Sequence, residues 1–200
     1  MAVREPKSIK AQITKASLII AAAGILREQG PEAVTYRYVA KVAGLSSSSA
    51  GYYFNSISDL LHEAGKHNIE QWAQRAEETV ADARTMAPEK IKKHRIEIIM
   101  NACLPHDETA GYSSHYSQLI AASNSSEVTD AYREGRQRLD GAVQEILELI
   151  DWNMPARLII AVVDGAAVAA ISEGRDVCQN VTDVLAELSL LNCDKPYNET

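Results

Sequence analysis

Aromatic residues make up only 6% of the 200-residue chain, with a single phenylalanine, and glycine and proline number ten and six. So thin a supply of strand and turn formers disfavours a sandwich or barrel and favours helices. Cysteine is scarcer still. Cys103, Cys178 and Cys193 lie far apart without a C-x-x-C pair, which argues against a zinc site and a disulfide framework and leaves reduced thiols. Long apolar runs are also missing: the longest uncharged ones, Leu18 to Leu26 and Leu158 to Val163, fall well short of the roughly 20 residues that a bilayer crossing takes. No membrane partner is therefore expected. Residues 1–10 are polar and charged and lead into no small-residue cleavage pattern, from which a cytoplasmic location is expected. With 46% hydrophobic and 24% charged residues, the chain has material for a sizeable core and is not disordered as a whole.

Net positive charge is absent too, the total being -7, but the distribution is uneven. Residues 1–66 hold eight Lys/Arg against five Asp/Glu, and the remaining 134 hold twelve against twenty-two. A front segment at +3 on a body at -10 fits a small module that meets a polyanion, carried by a larger part that does not.

Apolar periodicity predicts helices throughout. Ile9, Ile13, Ala16, Ile20 and Ala23, widened by Ile19, Ala22 and Leu26, predict one over Ser8 to Gln29, stopped by Gly30 and Pro31. Thr35 suits the cap of a short helix to Val42, and Gly44 a turn before a third helix capped by Ser46 or Ser47. Ser56 and Asp59 form a capping-box variant for a long fourth helix to Arg84. Pro88 opens a helix to Cys103, Tyr116, Leu119 and Ile120 suggest one within His106 to Ser126 that Gly111 and many serines weaken, Val128 to Leu149 repeats in steps of four and three, and two more helices are expected over Ala156 to Ser172 and Asn180 to Leu191. The fold class is all-α with about nine helices.

Thr35 through Leu61 reads TYRYVAKVAGLSSSSAGYYFNSISDLL: two short helices about an Ala-Gly-Leu turn, then two tyrosines and Phe54 leading into a capped helix. This resembles the helix-turn-helix of the TetR family of transcriptional regulators, and Leu18 to Gly30 is similar to that family's first helix. The resemblance is specific over residues 13–61; beyond them only the helical plan matches. It implies a DNA-binding domain over residues 1–55 and a helical ligand-binding and dimerisation domain over 56–200. It departs from the family at Ile57, where a lysine is frequent, at Ser48 for glycine, and at Leu26 for phenylalanine.

In such a motif the second helix lies in the major groove while the first crosses the phosphate backbone. Ser46, Ser47, Ser48, Ser49 and Gly51 are then the reading face, with Tyr52 or Tyr53 reaching a phosphate and the other packing with Phe54. Thr35 and Arg37 sit at the positive end of the second helix. Lys7 and Lys10, with Arg4 and Lys15, suit an arm that adds salt-dependent affinity. The third helix holds no Arg, Asn or Gln, so bidentate base readout falls to Arg37, or specificity leans on methyl contacts, water and DNA shape.

The resemblance further implies double-stranded, near-palindromic operator DNA as partner, a homodimer, and a small-molecule effector, with no cofactor or metal. Trp72, Met100, Cys103, Tyr112, His115, Tyr116, Leu119, Tyr132 and Arg136 are the candidate ligand residues. Ile159, Ile160, Val163, Ala166, Ala167 and Ala170, with Leu185 and Leu188, are the candidate dimer contacts, because a helix so apolar needs two layers of cover. Two other classes compete. A helical adaptor or anti-repressor that binds protein fits the acidic body but not the basic front. A small helical hydrolase would need His106, Asp107 or His115 to meet a nucleophile, and no nucleophile elbow or oxyanion loop is present.

Overall fold

The computed structural model describes residues 8–105 and 111–192, and among these it holds ten α-helices and no strand. The first, α1 (Ile9–Gln29), starts where Ser8 turns from extended backbone and its Oγ accepts the Ala11 N–H at 3.2 Å. It ends at Gly30, whose φ of +82° places it where a side chain is strained. By length and composition α1 is apolar enough to cross a membrane, which a count of uninterrupted runs does not reveal. Its role here is in a core: Leu18, Ala21, Ala22, Ala23, Ile25 and Leu26 are buried. The stripe expected to be buried is in part the outer one, with Ile9, Ile13 and Ile20 more than half exposed. A helix apolar on all sides does not mark its inward face.

Helices α2 (Tyr36–Val42) and α3 (Ser47–Tyr53) follow at the expected boundaries, with Thr35 Oγ1 capping α2 by accepting the Tyr38 N–H. Between them Gly44, at φ +67°, lets the Leu45 N–H reach back to the Ala40 carbonyl at 2.8 Å. Helix α4 (Ile57–Arg84) opens on the predicted box: Ser56 Oγ accepts the Asp59 N–H at 3.1 Å, and Asp59 Oδ2 accepts the Asn55 N–H at 3.2 Å. The single helix expected over Pro88 to Cys103 is two, α5 (Pro88–Lys93) and α6 (Arg95–Cys103). His94 leaves helical geometry between them without proline or glycine. Its N–H is shared by the Lys90 and Ile91 carbonyls, which tightens the last turn of α5. Helices α7 (Gly111–Ala121), α8 (Ser126–Leu149), α9 (Ala156–Ser172) and α10 (Val177–Asn192) complete the chain. The last begins before the expected Asn180 because Asp176 Oδ1 caps it through the Gln179 N–H at 2.7 Å.

The helices form two compact units, one reaching through Gln71 and including Ser114–Gln137, the other made of Trp72–Ser113 and the chain from Arg138 on. In the first, α1, α2 and α3 close around Leu18, Leu26, Val39, Ala40, Ala50 and Phe54, and Leu60, Ala64 and Val128 extend the same core. Fully buried Asn68 of α4 ties the unit together: its Oδ1 accepts Arg27 Nη1–H at 2.7 Å and its Nδ2 donates to the Ala23 carbonyl at 3.3 Å. The Tyr132 phenol of α8 also hydrogen-bonds Asn68, and burial pushes that phenol's pKa up. Two glycines let α4 and α8 cross closely. A Cβ on Gly65 would stand 3.1 Å from Ala131 Cβ, and one on Gly135 would run into the Ile69 side chain.

At the start of α8, Ser125 Oγ accepts the Val128 N–H and donates to Glu127 Oε2 at 2.9 Å. Hydrogen bonds from Ser58 foremost, then from the Glu127 backbone, Ser125 and Ser126, hold the Glu127 carboxyl down at about 2, against an ordinary 4.5. A carboxyl depressed in the folded state adds stability that is complete above its unfolded pKa and is lost as pH falls through the folded one. Urea midpoints should therefore drop between pH 4.5 and about 2, and drop less steeply in Glu127→Gln; parallel profiles for the two proteins would contradict this.

In the second unit α9 packs on α10, and both pack on α6. Buried Asn180 locks α10 to α9 by donating to the Ala166 carbonyl at 2.8 Å. Arg138 of α8 grips Glu77 of α4 through Nε and Nη2, with Nε–H to Oε1 at 2.6 Å, and holds that carboxyl below its usual range.

Candidate nucleic-acid interface

The candidate head is built by burying one side of each short helix. Val39 and Ala40 turn α2 inward, Ala50 turns α3 inward, and Phe54 follows them into the core. The Tyr36 hydroxyl donates to the Phe54 carbonyl at 3.3 Å and so pins the end of α3 to the start of α2. Burial, and then the Asp59 carboxylate, raise the Tyr36 pKa, which keeps this phenol a donor.

What remains outward on α3 is Ser48, Gly51 and Tyr52, spaced three and four apart on one side. Tyr52 is 61% exposed and its ring meets that of Tyr53 edge to face at 5.1 Å, whereas Tyr53 packs against the core that holds Phe54. The outward tyrosine is therefore Tyr52. Ser46 caps no backbone group; its hydroxyl is hydrogen-bonded to those of Ser48 and Ser49 at 3.0 and 2.9 Å. Ser49 is half-buried, and of Ser47 only the backbone is described.

On α2 the exposed Arg37 projects at the helix start, and Thr35 spends its hydroxyl on the cap. Lys41, which sequence reasoning missed, is exposed one turn beyond Arg37. The signal was there: cations four apart on a short helix share an edge. Lys10 is exposed on α1, while Lys15 lies over the Phe54 ring, 5.7 Å from its centroid, and so takes part in packing. Lys7 and Arg4, like His106, Asp107 and Cys193, lie outside the described residues.

The candidate ligand residues divide between the units. Trp72, Met100, Cys103 and Tyr112, all half-buried, belong to the second, and there the Tyr112 hydroxyl lies 3.2 Å from Cys178 Sγ. That hydrogen bond, with burial, pushes the Tyr112 phenol to about 12. His115, Tyr116, Leu119, Tyr132 and Arg136 belong to the first, where Tyr116 is buried and the half-buried His115 ring meets it edge-on at 5.2 Å.

The candidate dimer residues lie on α9 and α10. Ile159, Ile160, Val163, Ala166, Ala167, Ala170 and Leu185 are buried inside the single chain, and Leu188 is half-buried. The packing of α9 on α6 and α10 consumes that face. The apolar side left exposed is Leu158, Ala161, Gly165 and Val168, at steps of three, four and three. The spacing was legible, but on a helix with apolar residues on every side, only Arg157 and Asp164 being charged, the side that turns outward was not.

Residues 18–64 match the family model of bacterial regulatory proteins, tetR family. No curated protein matches the chain. Among solved structures, a Mesorhizobium loti protein assigned as a TetR-family transcriptional regulator shares the fold at a TM-score of 0.64 and 13% identity, over 92% of this chain and 98% of that one. A Saccharomonospora viridis protein assigned as a transcriptional regulator, solved with choline, gives 0.62 at 18% identity over 90% and 96%. The transcriptional regulator FadR of Bacillus subtilis, solved with stearoyl-CoA, gives 0.55 at 20% identity over 91% and 100%.

Proposed function

We propose that this chain, a member through residues 18–64 of the tetR family of bacterial regulatory proteins, is a dimeric repressor that a small molecule releases from a near-palindromic operator. The single observation that carries the DNA reading is the outward face of Ser48, Gly51 and Tyr52 on a helix whose other side is locked into the core. Short side chains and a glycine let the helix backbone come close to base edges, and Tyr52 offers a rigid ring with a hydroxyl tip for a phosphate. Arg37, with Lys41 behind it, supplies the strong donors that α3 lacks. The likeness to regulators solved with choline and with stearoyl-CoA supports an effector bound in the helical body. Such a repressor works in the cytoplasm, where its DNA is.

Two heads read two half-sites only when the chains pair, and the exposed stripe Leu158, Ala161, Gly165 and Val168 of α9 is the proposed pairing face, flanked by Val184 and Leu188 of α10. Small residues at that spacing let two helices approach closely. The protein-binding adaptor reading is disfavoured by the same head, whose exposed cations and hydroxyls suit a polyanion.

Alanine at Arg37 or Tyr52 should each weaken operator binding by about 1–3 kcal/mol, while Lys10→Gln should mainly reduce the salt slope. Fluorescence anisotropy with a labelled operator at several salt concentrations reads both. Undiminished affinity in the two alanine variants would remove α2 and α3 as the reading elements.

A further inference from the structure

The run Lys90, Lys92, Lys93, Arg95 reads in sequence as a solvated helix face. The break at His94 changes that. With α5 ended and α6 restarted, residues 92–95 frame one open cavity of about 590 Å³, closed on its other side by Met100 and by Thr182 of α10. All of it lies within the second unit. Its volume is in the range of small-molecule sites, about 300–1,000 Å³.

The lining is electrically one-sided. Lys92, Lys93 and Arg95 face a single carboxylate, Glu97, whose Oε2 already lies 2.9 Å from His94 Nδ1. Arg95 is aimed rather than free: its Nη2 donates to Oγ of buried Ser189 at 3.0 Å. A guanidinium held this way loses little freedom on meeting an anion. The cavity also opens at the first turn of nine-residue α6, where no side chain caps the backbone N–H groups and the helix adds partial positive charge. Beside the cations Ile96 and Met100 supply an apolar stretch of wall, next to polar Asn101 and Thr182, whose Oγ1 donates to Met100 Sδ at 3.2 Å.

We infer that this cavity binds a small organic anion, a carboxylate or phosphate head against Lys92, Lys93 and Arg95 with an aliphatic body of several carbons along Ile96 and Met100. The inference names a ligand class for the regulator proposed above and rests on that reading only for its consequence at DNA; binding itself does not. A larger polyanion such as duplex DNA would meet the lysines but has no body for the apolar wall.

Isothermal titration of the full chain at constant ionic strength tests the site with three probes: hexanoate, hexyl phosphate and neutral hexanamide. At least one anion should bind about tenfold or more tighter than hexanamide, the two anions distinguishing a carboxylate from a phosphate head. The double variant Lys92→Gln/Lys93→Gln, changed at exposed positions that leave the core intact, should lose about tenfold in that affinity, and so should Arg95→Gln, with Arg95→Lys partly restoring it. Equal binding of hexanamide, anion binding unchanged in both variants, or no binding by about 10 mM would each overturn the assignment. With operator added, a bound anion should lower DNA affinity. Unchanged DNA affinity with the site filled would overturn its effector role, while the Arg37 and Tyr52 variants judge the regulator reading separately.

Discussion

Replacing Gly165 by arginine should convert the protein from dimer to monomer and cut operator affinity by about a hundredfold or more, the avidity that joining two reading heads supplies. The variant is informative because the protomer should tolerate it. Gly165 is exposed on α9, and a Cβ there meets nothing within 4 Å. Arginine is also the better helix former, by somewhat under about 1 kcal/mol. Any loss must therefore come from what covers Leu158, Ala161 and Val168 in the assembly. Sedimentation equilibrium at micromolar concentration gives the mass, and the same preparation gives DNA affinity. A dimer that binds operator normally would move the pairing face off α9, and a monomeric parent protein would remove the dimer altogether.

Asn68→Leu should lower unfolding stability by roughly 3–5 kcal/mol. The substitution keeps the volume close and adds apolar surface, so burial alone would make it neutral or favourable. Three partners decide otherwise: the Arg27 guanidinium, the Ala23 carbonyl and the Tyr132 phenol all meet this one fully buried amide. Each polar group stripped of its partner inside the core costs about 1–3 kcal/mol, more where one is charged. Asn68→Asp should cost less, because it keeps an acceptor for Arg27. Urea unfolding followed by circular dichroism reads the difference. Equal stability of Asn68→Leu and the parent would show that the amide does not hold α1, α4 and α8 together.

Much of this was legible in the sequence where chemistry is local. Ser8, Thr35 and Ser56 mark helix starts because a side-chain oxygen three residues before a free N–H has one good use, and Asp59 answers Ser56 by accepting the Asn55 N–H. Gly30 and Gly44 mark turns because their φ values suit no other residue well. Of the outer face of α3 read from the sequence, Ser48 and Gly51 do turn outward, whereas Ser49 is half-buried and the choice between Tyr52 and Tyr53 needed the position of Phe54 in the core. What the sequence hid is set by partners distant along the chain. Helices α1 and α9 are apolar on nearly every side, so which stripe is buried depends on where α4, α6 and α10 come to rest. The break at His94 carries no proline or glycine, and with it a string of cations that looks like solvated surface becomes the rim of a cavity. Asn68 reads as an ordinary polar residue of α4, because its three partners come from α1 and α8.

Selection of duplexes from a random pool, followed by footprinting, decides whether α3 reads DNA in pairs. One near-palindromic sequence with half-sites about one helical turn apart should be enriched, protected by the parent chain and not by Tyr52→Ala at the same concentration. A pool that enriches no sequence, or a selected site that Tyr52→Ala and Arg37→Ala protect as well as the parent does, would contradict it.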